Sequence, residues 1–156
     1  MKDDLFYLQC ALSEAEKCAE VEWFAVGCVL VAPGGEIVSA GFTGERRDEA
    51  GNKLHAEEVA LEKAEAHGRS LSELTLYSSL EPCSKRRSKR VPCAELIANA
   101  GVRRVVFAAK EPYEPDLGIV CEGEGRLRER GVKVRHLIDL SGRALAIAWS
   151  RRRRER

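Results

Sequence analysis

The sequence predicts an α/β fold in which helices cover both faces of a five-stranded mixed sheet. Two apolar runs separated by Pro33, Gly34 and Gly35 are typical of a β-hairpin. After this hairpin, predicted strands alternate with predicted helices, which is the element order of α/β proteins. A length of 156 residues suits one domain, so we expect a single domain over residues 1–150 and a basic tail over 151–156.

The elements at the start of the chain follow from hydrophobic spacing and turn residues. Apolar residues recur at helical spacing: Leu5, Leu8, Leu12, Ala15 and Ala19. They predict an amphipathic helix over about residues 3–20. The hairpin strands are expected over residues 26–32 and 36–42, and a polar loop over 43–54 follows them.

The remaining elements alternate along the chain. We expect helices over residues 55–66, 93–100, 118–130 and 140–153, and strands over 74–80, 102–109 and 132–138. Gly101 and Gly131 are placed to end the helices that precede them. The strand–helix–strand passage over 102–138 predicts that the last two strands are parallel.

Positive charge is concentrated in two places, although the net charge is only +1. Five basic residues lie in the loop over 85–90, and the tail RRRRER carries four net positive charges. The rest of the molecule is therefore acidic, which argues against a whole-protein polyanion binder. The stretch Arg151–Arg154 is expected to be a frayed, solvated helix end, with a functional basic patch as the less favoured alternative.

The sequence favours a cytoplasmic location and predicts no membrane partner. The opening residues MKDDLFYLQCAL lack the basic and apolar regions of a secretory signal, and no apolar run is long enough to span a bilayer. Six cysteines in a chain of this length are expected to stay reduced. Four of them lie in apolar surroundings and are expected to be buried thiols: Cys10, Cys18, Cys28 and Cys121.

Four residues form a candidate catalytic zinc site. His55 and Glu57 lie in the first turn of a predicted helix, Cys83 follows a strand, and Cys93 begins the next helix. One imidazole and two thiolates are good zinc ligands, and three protein ligands leave the fourth position open. First-turn residues border one helix end, so His55 and Glu57 can face the same ion. We expect one Zn²⁺ per chain, with Glu57 beside it.

Each of these residues also has a simpler interpretation. His55 alone could cap a helix, and Glu57 alone could be a favourable first-turn acid. Cys83 and Cys93 could be buried thiols, a disulfide or half of a zinc ribbon, although no second cysteine pair at suitable spacing completes a four-cysteine site. The combination, in this order and on these elements, favours the catalytic zinc site.

The fragments HAE and EPC resemble the signature of the zinc deaminases. The segments VGCVLV, LHAEEVALEKA, LYSSLEPCS, VPCAELIANAGVRRVVFA and RLRERGVKV are most similar to the deaminase domain of the riboflavin-biosynthesis pyrimidine deaminases. This resemblance implies a cytidine-deaminase-like three-layer α/β/α sandwich that forms a homodimer or homotetramer. It also implies that His55, Cys83 and Cys93 bind zinc while Glu57 transfers protons during hydrolytic deamination.

The chain departs from that family in three places. In that family a segment has an asparagine between two prolines, where this chain has Glu22, Trp23, Phe24 and Ala25. The loop between Cys83 and Cys93 reads SKRRSKRVP, which differs from the loop of the family in composition and length. The 156 residues also hold no reductase domain. These differences concern substrate recognition more than the reaction. The substrate is expected to be a pyrimidine-like heterocycle, as free base, nucleoside or nucleotide. The alternatives are a cytosine, cytidine, deoxycytidylate or purine deaminase.

Substrate contacts are expected from six residues: Trp23, Phe24, Ala56, Lys85, Arg86 and Arg90. The two aromatic residues could equally pack in the core. The basic loop is interpreted as a clamp for a substrate phosphate, with a solvated loop as the alternative. A nucleic-acid contact is less favoured because no aromatic residues interleave the basic ones, but a zinc-stabilised nucleic-acid-binding module remains the alternative of another class.

Overall fold

The computed structural model describes residues 2–86, 90–113, 118 and 120–153. The α-helices in this part of the chain are α1 Asp4–Ala15, α2 Ala56–Ala66, α3 Cys93–Ala100, α4 Gly123–Glu129 and α5 Ser141–Ser150. The strands are β1 Gly27–Val31, β2 Ile37–Phe42, β3 Thr75–Leu80, β4 Arg104–Ala109 and β5 Lys133–His136. Short 3-10 turns precede β3 and α5, at Leu71–Glu73 and Ile138–Leu140.

The strands form one mixed sheet in the order β2-β1-β3-β4-β5. β1 pairs antiparallel with β2 and β3, whereas β3, β4 and β5 run parallel to one another. The predicted hairpin and the parallel arrangement of the last two strands are thus confirmed. Because β3 and β4 end at the same edge of the sheet, the loops that follow them lie side by side.

Two hydrophobic clusters lie on opposite faces of this sheet. Helices α1 and α5 cover one face, where Leu8 and Leu12 pack with Val106. Helices α2, α3 and α4 cover the other face, where Ile97 and Leu127 are buried with their neighbours. Residues 56–61 of α2 are all buried, whereas the other helices bury one stripe and leave the opposite stripe more exposed. The predicted three-layer α/β/α sandwich is confirmed.

A glycine brings α2 close to the sheet. A Cβ atom at Gly41 in β2 would lie 2.6 Å from the carbonyl oxygen of Ala56 and 2.9 Å from the amide nitrogen of Ala60. Only a residue without a side chain allows this separation. The first turn of α2 therefore lies directly against the sheet, next to the ends of β1 and β3.

At the opposite end of the parallel strands, Asp4 links α1 to three of them. Its carboxylate accepts hydrogen bonds from Tyr77 at 2.7 Å, from Arg104 at 2.8 Å and from Arg135 at 2.7 Å. These donors lie on β3, β4 and β5, respectively. The hydrogen bond to Arg104 lowers the pKa of Asp4 well below its usual value. This network joins α1 to all three parallel strands of the sheet.

Three helices are shorter than the sequence predicts, and one of them, α5, ends at Ser150 instead of residue 153. Helix α1 ends at Ala15 because the amides of Lys17 and Cys18 turn back to Glu14 and Ala15, which tightens the last turn. Helix α4 begins only at Gly123. The residues before it are held against the loop that follows β3, where Glu122 donates its amide hydrogen to Ser84 Oγ at 2.8 Å.

The predicted frayed end is wrong for residues 151–153. The amide of Val21 donates to the carbonyl of Arg151 at 2.8 Å, and the amide of Arg153 donates to the carbonyl of Val21 at 2.7 Å. Backbone hydrogen bonds with the segment after α1 thus hold these residues in place. Residues 154–156 of the predicted tail lie outside the described part. In the part of the chain that the structure covers, no helix is both long and apolar enough to cross a membrane.

Candidate metal centre and substrate cavity

The three predicted metal ligands converge where α2 and α3 begin. His55 is the N-cap of α2, Cys83 follows β3, and Cys93 is the first residue of α3. Nδ1 of His55 lies 3.6 Å from Sγ of Cys83 and 3.4 Å from Sγ of Cys93. All three ligand atoms lie within 4.8 Å of one another, so they could hold a metal ion.

The separations between these atoms fit zinc. Zinc bonds are about 2.3 Å long to sulfur and about 2.0 Å long to nitrogen. At a tetrahedral angle, these lengths place a sulfur ligand and a nitrogen ligand roughly 3.5 Å apart. The observed separations of 3.6 and 3.4 Å agree with this value. The donors, one imidazole nitrogen and two thiol sulfurs, are also those that zinc prefers. The site therefore suits a zinc ion with three protein ligands.

Backbone contacts hold the two cysteines together. The amide of Cys93 donates to Sγ of Cys83 at 3.2 Å, and the amide of Ala94 donates to the carbonyl of Cys83 at 3.0 Å. The first amide of α3, that of Cys93, thus points at the sulfur of Cys83, and the next amide binds the Cys83 carbonyl oxygen. Negative charge at the thiol is stabilised by this helix end.

The two thiols ionise differently. Their mutual hydrogen bond lowers the pKa of Cys83 and raises that of Cys93, and His55 adds to the decrease at Cys83. Burial raises the pKa of Cys93 further. One thiolate therefore forms readily, whereas loss of the second proton requires a cation at the site.

Glu57 lies beside this cluster in the first turn of α2. It is buried, and one carboxylate oxygen accepts a hydrogen bond from Ser78 Oγ at 2.9 Å. Burial raises the pKa of Glu57, although the neighbouring His55 opposes the shift. A carboxyl group with a raised pKa can both accept and release a proton near neutral pH.

A cavity of about 540 Å³ opens onto the cluster. His55, Glu57 and Cys83 form part of its lining. The volume is in the range of sites that bind small molecules. Trp23 and Phe24 line the same cavity and also pack against the core, so both interpretations of these aromatic residues apply.

The other predicted substrate contacts divide into two groups. Lys85 and Arg86 line the cavity, whereas Ala56 and Arg90 are not part of its wall. Ala56 is fully buried in the core between α2 and the sheet. Arg90 instead binds carboxylates, with Nη1 2.9 Å from Oδ2 of Asp48.

Two arginines of the basic loop bind a single buried carboxylate. Glu58 accepts hydrogen bonds from Arg86, at 2.7 Å, and from Arg90. The same carboxylate accepts the amide hydrogen of His55 at 3.0 Å. The positive charge of these arginines is thus largely compensated within the molecule, and Lys85 remains exposed at the cavity. Arg87 and Lys89 lie outside the described residues.

The cavity contains acids that the sequence analysis missed. Glu111, in the loop after β4, lines it, and burial raises the pKa of this residue to about 7. Glu81 also lines the cavity and is buried. The available signal was position, because Glu81 and Glu111 are the first and second residues after two neighbouring parallel strands, whose ends meet at one edge of the sheet.

Helix α4 packs tightly against the loop that carries Cys83. A Cβ atom at Gly123 would lie 1.8 Å from the carbonyl oxygen of Pro82. Glu81 accepts the amide hydrogen of Glu124 at 2.9 Å, which caps this helix. The start of α4 therefore fixes the backbone on both sides of Pro82, next to the metal ligand.

Comparisons with known proteins agree with this geometry. The family described as the cytidine and deoxycytidylate deaminase zinc-binding region matches residues 1–109. A Schizosaccharomyces pombe diaminohydroxyphosphoribosylamino-pyrimidine deaminase is 42% identical over 131 residues, which cover 82% of this chain and 30% of that protein. A tRNA-specific adenosine deaminase from Streptococcus pyogenes is 32% identical over 112 residues, covering 70% and 64%, respectively.

The solved structure of the Aspergillus oryzae Rib2 deaminase in complex with DARIPP has the same fold. Its TM-score is 0.80 at 27% identity, over 96% of this chain and 91% of that chain. Other relatives are much longer: this chain spans about 30% of the length of the pyrimidine deaminase from S. pombe and a similar share of the Escherichia coli riboflavin biosynthesis protein RibD.

Proposed function

Because this chain belongs to the cytidine and deoxycytidylate deaminase zinc-binding family, we propose that it hydrolyses an amino group from a pyrimidine-like heterocycle. The products are the corresponding carbonyl compound and ammonia. One observation carries the proposal: a buried glutamate, Glu57, lines the same cavity as His55 and Cys83, which form a possible metal site with Cys93. A structural zinc site would not need a buried acid beside an open cavity.

The residues of the site have distinct roles in this reaction. His55, Cys83 and Cys93 would hold the zinc ion of the family. Zinc supplies a Lewis acid that activates water for attack on the ring carbon bearing the amino group. Glu57 accepts a proton from the attacking water and donates it to the neighbouring ring nitrogen. Glu57 then takes the proton of the newly added hydroxyl group and delivers it to the amino group, which leaves as ammonia while the ring carbonyl forms.

Ser78 prepares Glu57 for these transfers. Its hydroxyl donates to Oε1 of Glu57 at 2.9 Å, which fixes the orientation of the carboxylate. The second carboxylate oxygen then remains for exchange with water and substrate. Burial raises the pKa of Glu57, which favours its protonated form relative to that of an exposed carboxyl group.

The proposed substrate is a phosphorylated aminopyrimidine of the riboflavin pathway. The names of the relatives support this choice, since one is a diaminohydroxyphosphoribosylamino-pyrimidine deaminase and another binds DARIPP. The cavity supports it through aromatic walls for a ring, at Trp23 and Phe24, and through exposed Lys85 for an anionic group.

Ammonia release tests the proposal. Purified zinc-loaded protein would be incubated with diaminohydroxyphosphoribosylaminopyrimidine, DARIPP, cytosine, cytidine, deoxycytidylate, guanine and a tRNA substrate containing adenosine. The account predicts release only from the first two compounds. Ammonia release from another compound of this panel would identify the chain as one of the alternative deaminases. No release, together with affinity for RNA that falls steeply with salt, would favour the nucleic-acid-binding module.

Assembly and location are also proposals. A homodimer or homotetramer is supported by exposed apolar side chains such as Ile138, which is 68% exposed, and light scattering in solution would test it. A cytoplasmic location is supported by the six cysteines, which are all free. Nucleic acid is not expected as a partner.

A further inference from the structure

The segment Arg151–Arg153 lies beside Val21, one of the residues that line the cavity. Val21 forms a parallel β-bridge with Arg152, and the two backbone hydrogen bonds on either side of it are 2.8 and 2.7 Å long. Arg151 adds a side-chain hydrogen bond, in which its Nε donates to the carbonyl of Cys18 at 3.3 Å. Backbone and side-chain contacts therefore fix the position of this segment.

Arg152 contacts both tryptophans of the chain. Its guanidinium carbon lies 5.1 Å from the ring centroid of Trp23 and 5.0 Å from that of Trp149. Both distances are within the range of cation–π interactions. A planar guanidinium can stack on aromatic faces, which an ammonium group does less well. Arg152 thus connects Trp23 to helix α5.

Trp23 is the residue through which this connection reaches the substrate. It lines the cavity together with Phe24, and the ring of Phe24 makes an edge contact with Trp149 at 5.1 Å. Arg153 lines the same cavity, and its Nε lies 3.0 Å from Oε1 of Glu20, another lining residue. One side of the cavity is therefore supported by residues 149–153.

We propose that Arg151–Arg153 is part of the substrate-binding site and that Arg152 is the positioning residue for the Trp23 wall. This inference rests on the proposed function. Arg152 holds the indole of Trp23 at the angle at which it meets the substrate ring, while the backbone bridge at Val21 fixes the strand segment behind it. Trp23 lies in the segment that, in the resemblance described above, stands in place of an asparagine between two prolines.

Substitution of Arg152 tests the role. Arg152→Ala is expected to raise KM for DARIPP about three- to tenfold, with kcat within about twofold, because binding rather than proton transfer is affected. Arg152→Lys keeps the positive charge and should recover part of the loss. Arg126→Ala, which removes an exposed arginine on α4, serves as the matched control and should leave KM unchanged.

A fluorescence measurement follows the wall directly. The chain has two tryptophans, so Trp149→Phe leaves Trp23 as the only one. Emission from Trp23 is expected to change when DARIPP binds. Adding Arg152→Ala to this background should shift the emission of the ligand-free protein to longer wavelength, since the indole gains solvent contact. It should also raise the Kd for DARIPP by the same factor as KM.

The inference is overturned if Arg152→Ala leaves both KM and the emission of Trp23 unchanged. It is also overturned if kcat, zinc content and melting temperature fall together, since Arg152 would then support the fold rather than the wall. Failure of the proposed function is a different result. A protein that binds DARIPP but releases no ammonia disproves the proposed function, and the Kd comparison still decides the role of Arg152.

Discussion

Arg86 and Glu58 form a buried ion pair, with Nη1 of Arg86 2.7 Å from Oε1 of Glu58 and both side chains at most 5% exposed. The same carboxylate binds Arg90 and the backbone amide of His55. One acid on α2 therefore connects the loop between Cys83 and Cys93 to His55. The basic loop is held against the metal centre by this contact, and two of its charges are used for its own attachment.

Removing this acid should destabilise the protein and loosen the metal centre. Glu58→Gln leaves two arginines facing an uncharged group, which we expect to cost about 2–4 kcal/mol in the free energy of unfolding. Urea unfolding measures the loss, and competition with a chelator measures zinc affinity. Glu62→Gln is the matched control on the same helix, because its contact with Arg46 is exposed and 3.9 Å long. A loss of less than about 0.5 kcal/mol is expected there, and equal losses in the two variants would contradict the role of Glu58.

At low pH, Asp4 should no longer contribute to the free energy of unfolding. The hydrogen bond to Arg104 lowers the pKa of Asp4 in the folded state, so its contribution is present above the unfolded pKa of about 3.9 and disappears as the pH falls below it. Asp4→Asn should therefore cost about 1 kcal/mol at pH 7, since solvent screens this partly exposed network. The difference from wild type should shrink below about pH 4. Asp139→Asn, at an exposed position, should show no such trend, and a constant deficit for Asp4→Asn would contradict the explanation.

The close contact between α4 and the loop that carries Cys83 should not tolerate an added methyl group. Gly123→Ala places a Cβ atom 1.8 Å from the carbonyl oxygen of Pro82, so the loop that carries Cys83 must shift. We expect zinc affinity to fall at least about tenfold, since displaced support of a ligand typically costs 10- to 100-fold. Gly125→Ala on the same helix meets no atom within 4 Å and should retain full affinity. Unchanged zinc binding by Gly123→Ala would show that the loop is not positioned by this helix.

Among the described residues of the basic loop, Lys85 is the cation that remains exposed at the cavity wall. Lys85→Gln is expected to raise KM about three- to tenfold for a phosphorylated substrate and to leave its dephosphorylated counterpart nearly unaffected, because a charge-assisted hydrogen bond is lost. Arg90→Gln should not discriminate between the two substrates, since Arg90 does not line the cavity. Steady-state kinetics on the matched pair of substrates provides the comparison. Equal effects of Lys85→Gln on both would reject a phosphate contact.

Short-range patterns in the sequence predicted most of the fold and the core of the site. The turn residues after β1 fixed the hairpin, and the helix starts at His55 and Cys93 placed the metal ligands on two neighbouring helix ends. Contacts between distant segments could not be predicted in this way. The pair of Arg86 with Glu58 and the bridge of Val21 with Arg152 depend on tertiary packing, which has no periodic signature in the chain. The bridge is also why the predicted frayed end was wrong.

The most direct test of the account is ammonia release by Glu57→Gln with the zinc content measured on the same sample. Glutamine keeps the size and the hydrogen bond with Ser78 but cannot transfer the proton. We predict that this variant folds, retains one zinc per chain and loses activity by about 10²–10⁴-fold, the range for removal of a general acid–base group. A zinc-loaded Glu57→Gln variant that releases ammonia from the substrate at the wild-type rate would contradict the central claim.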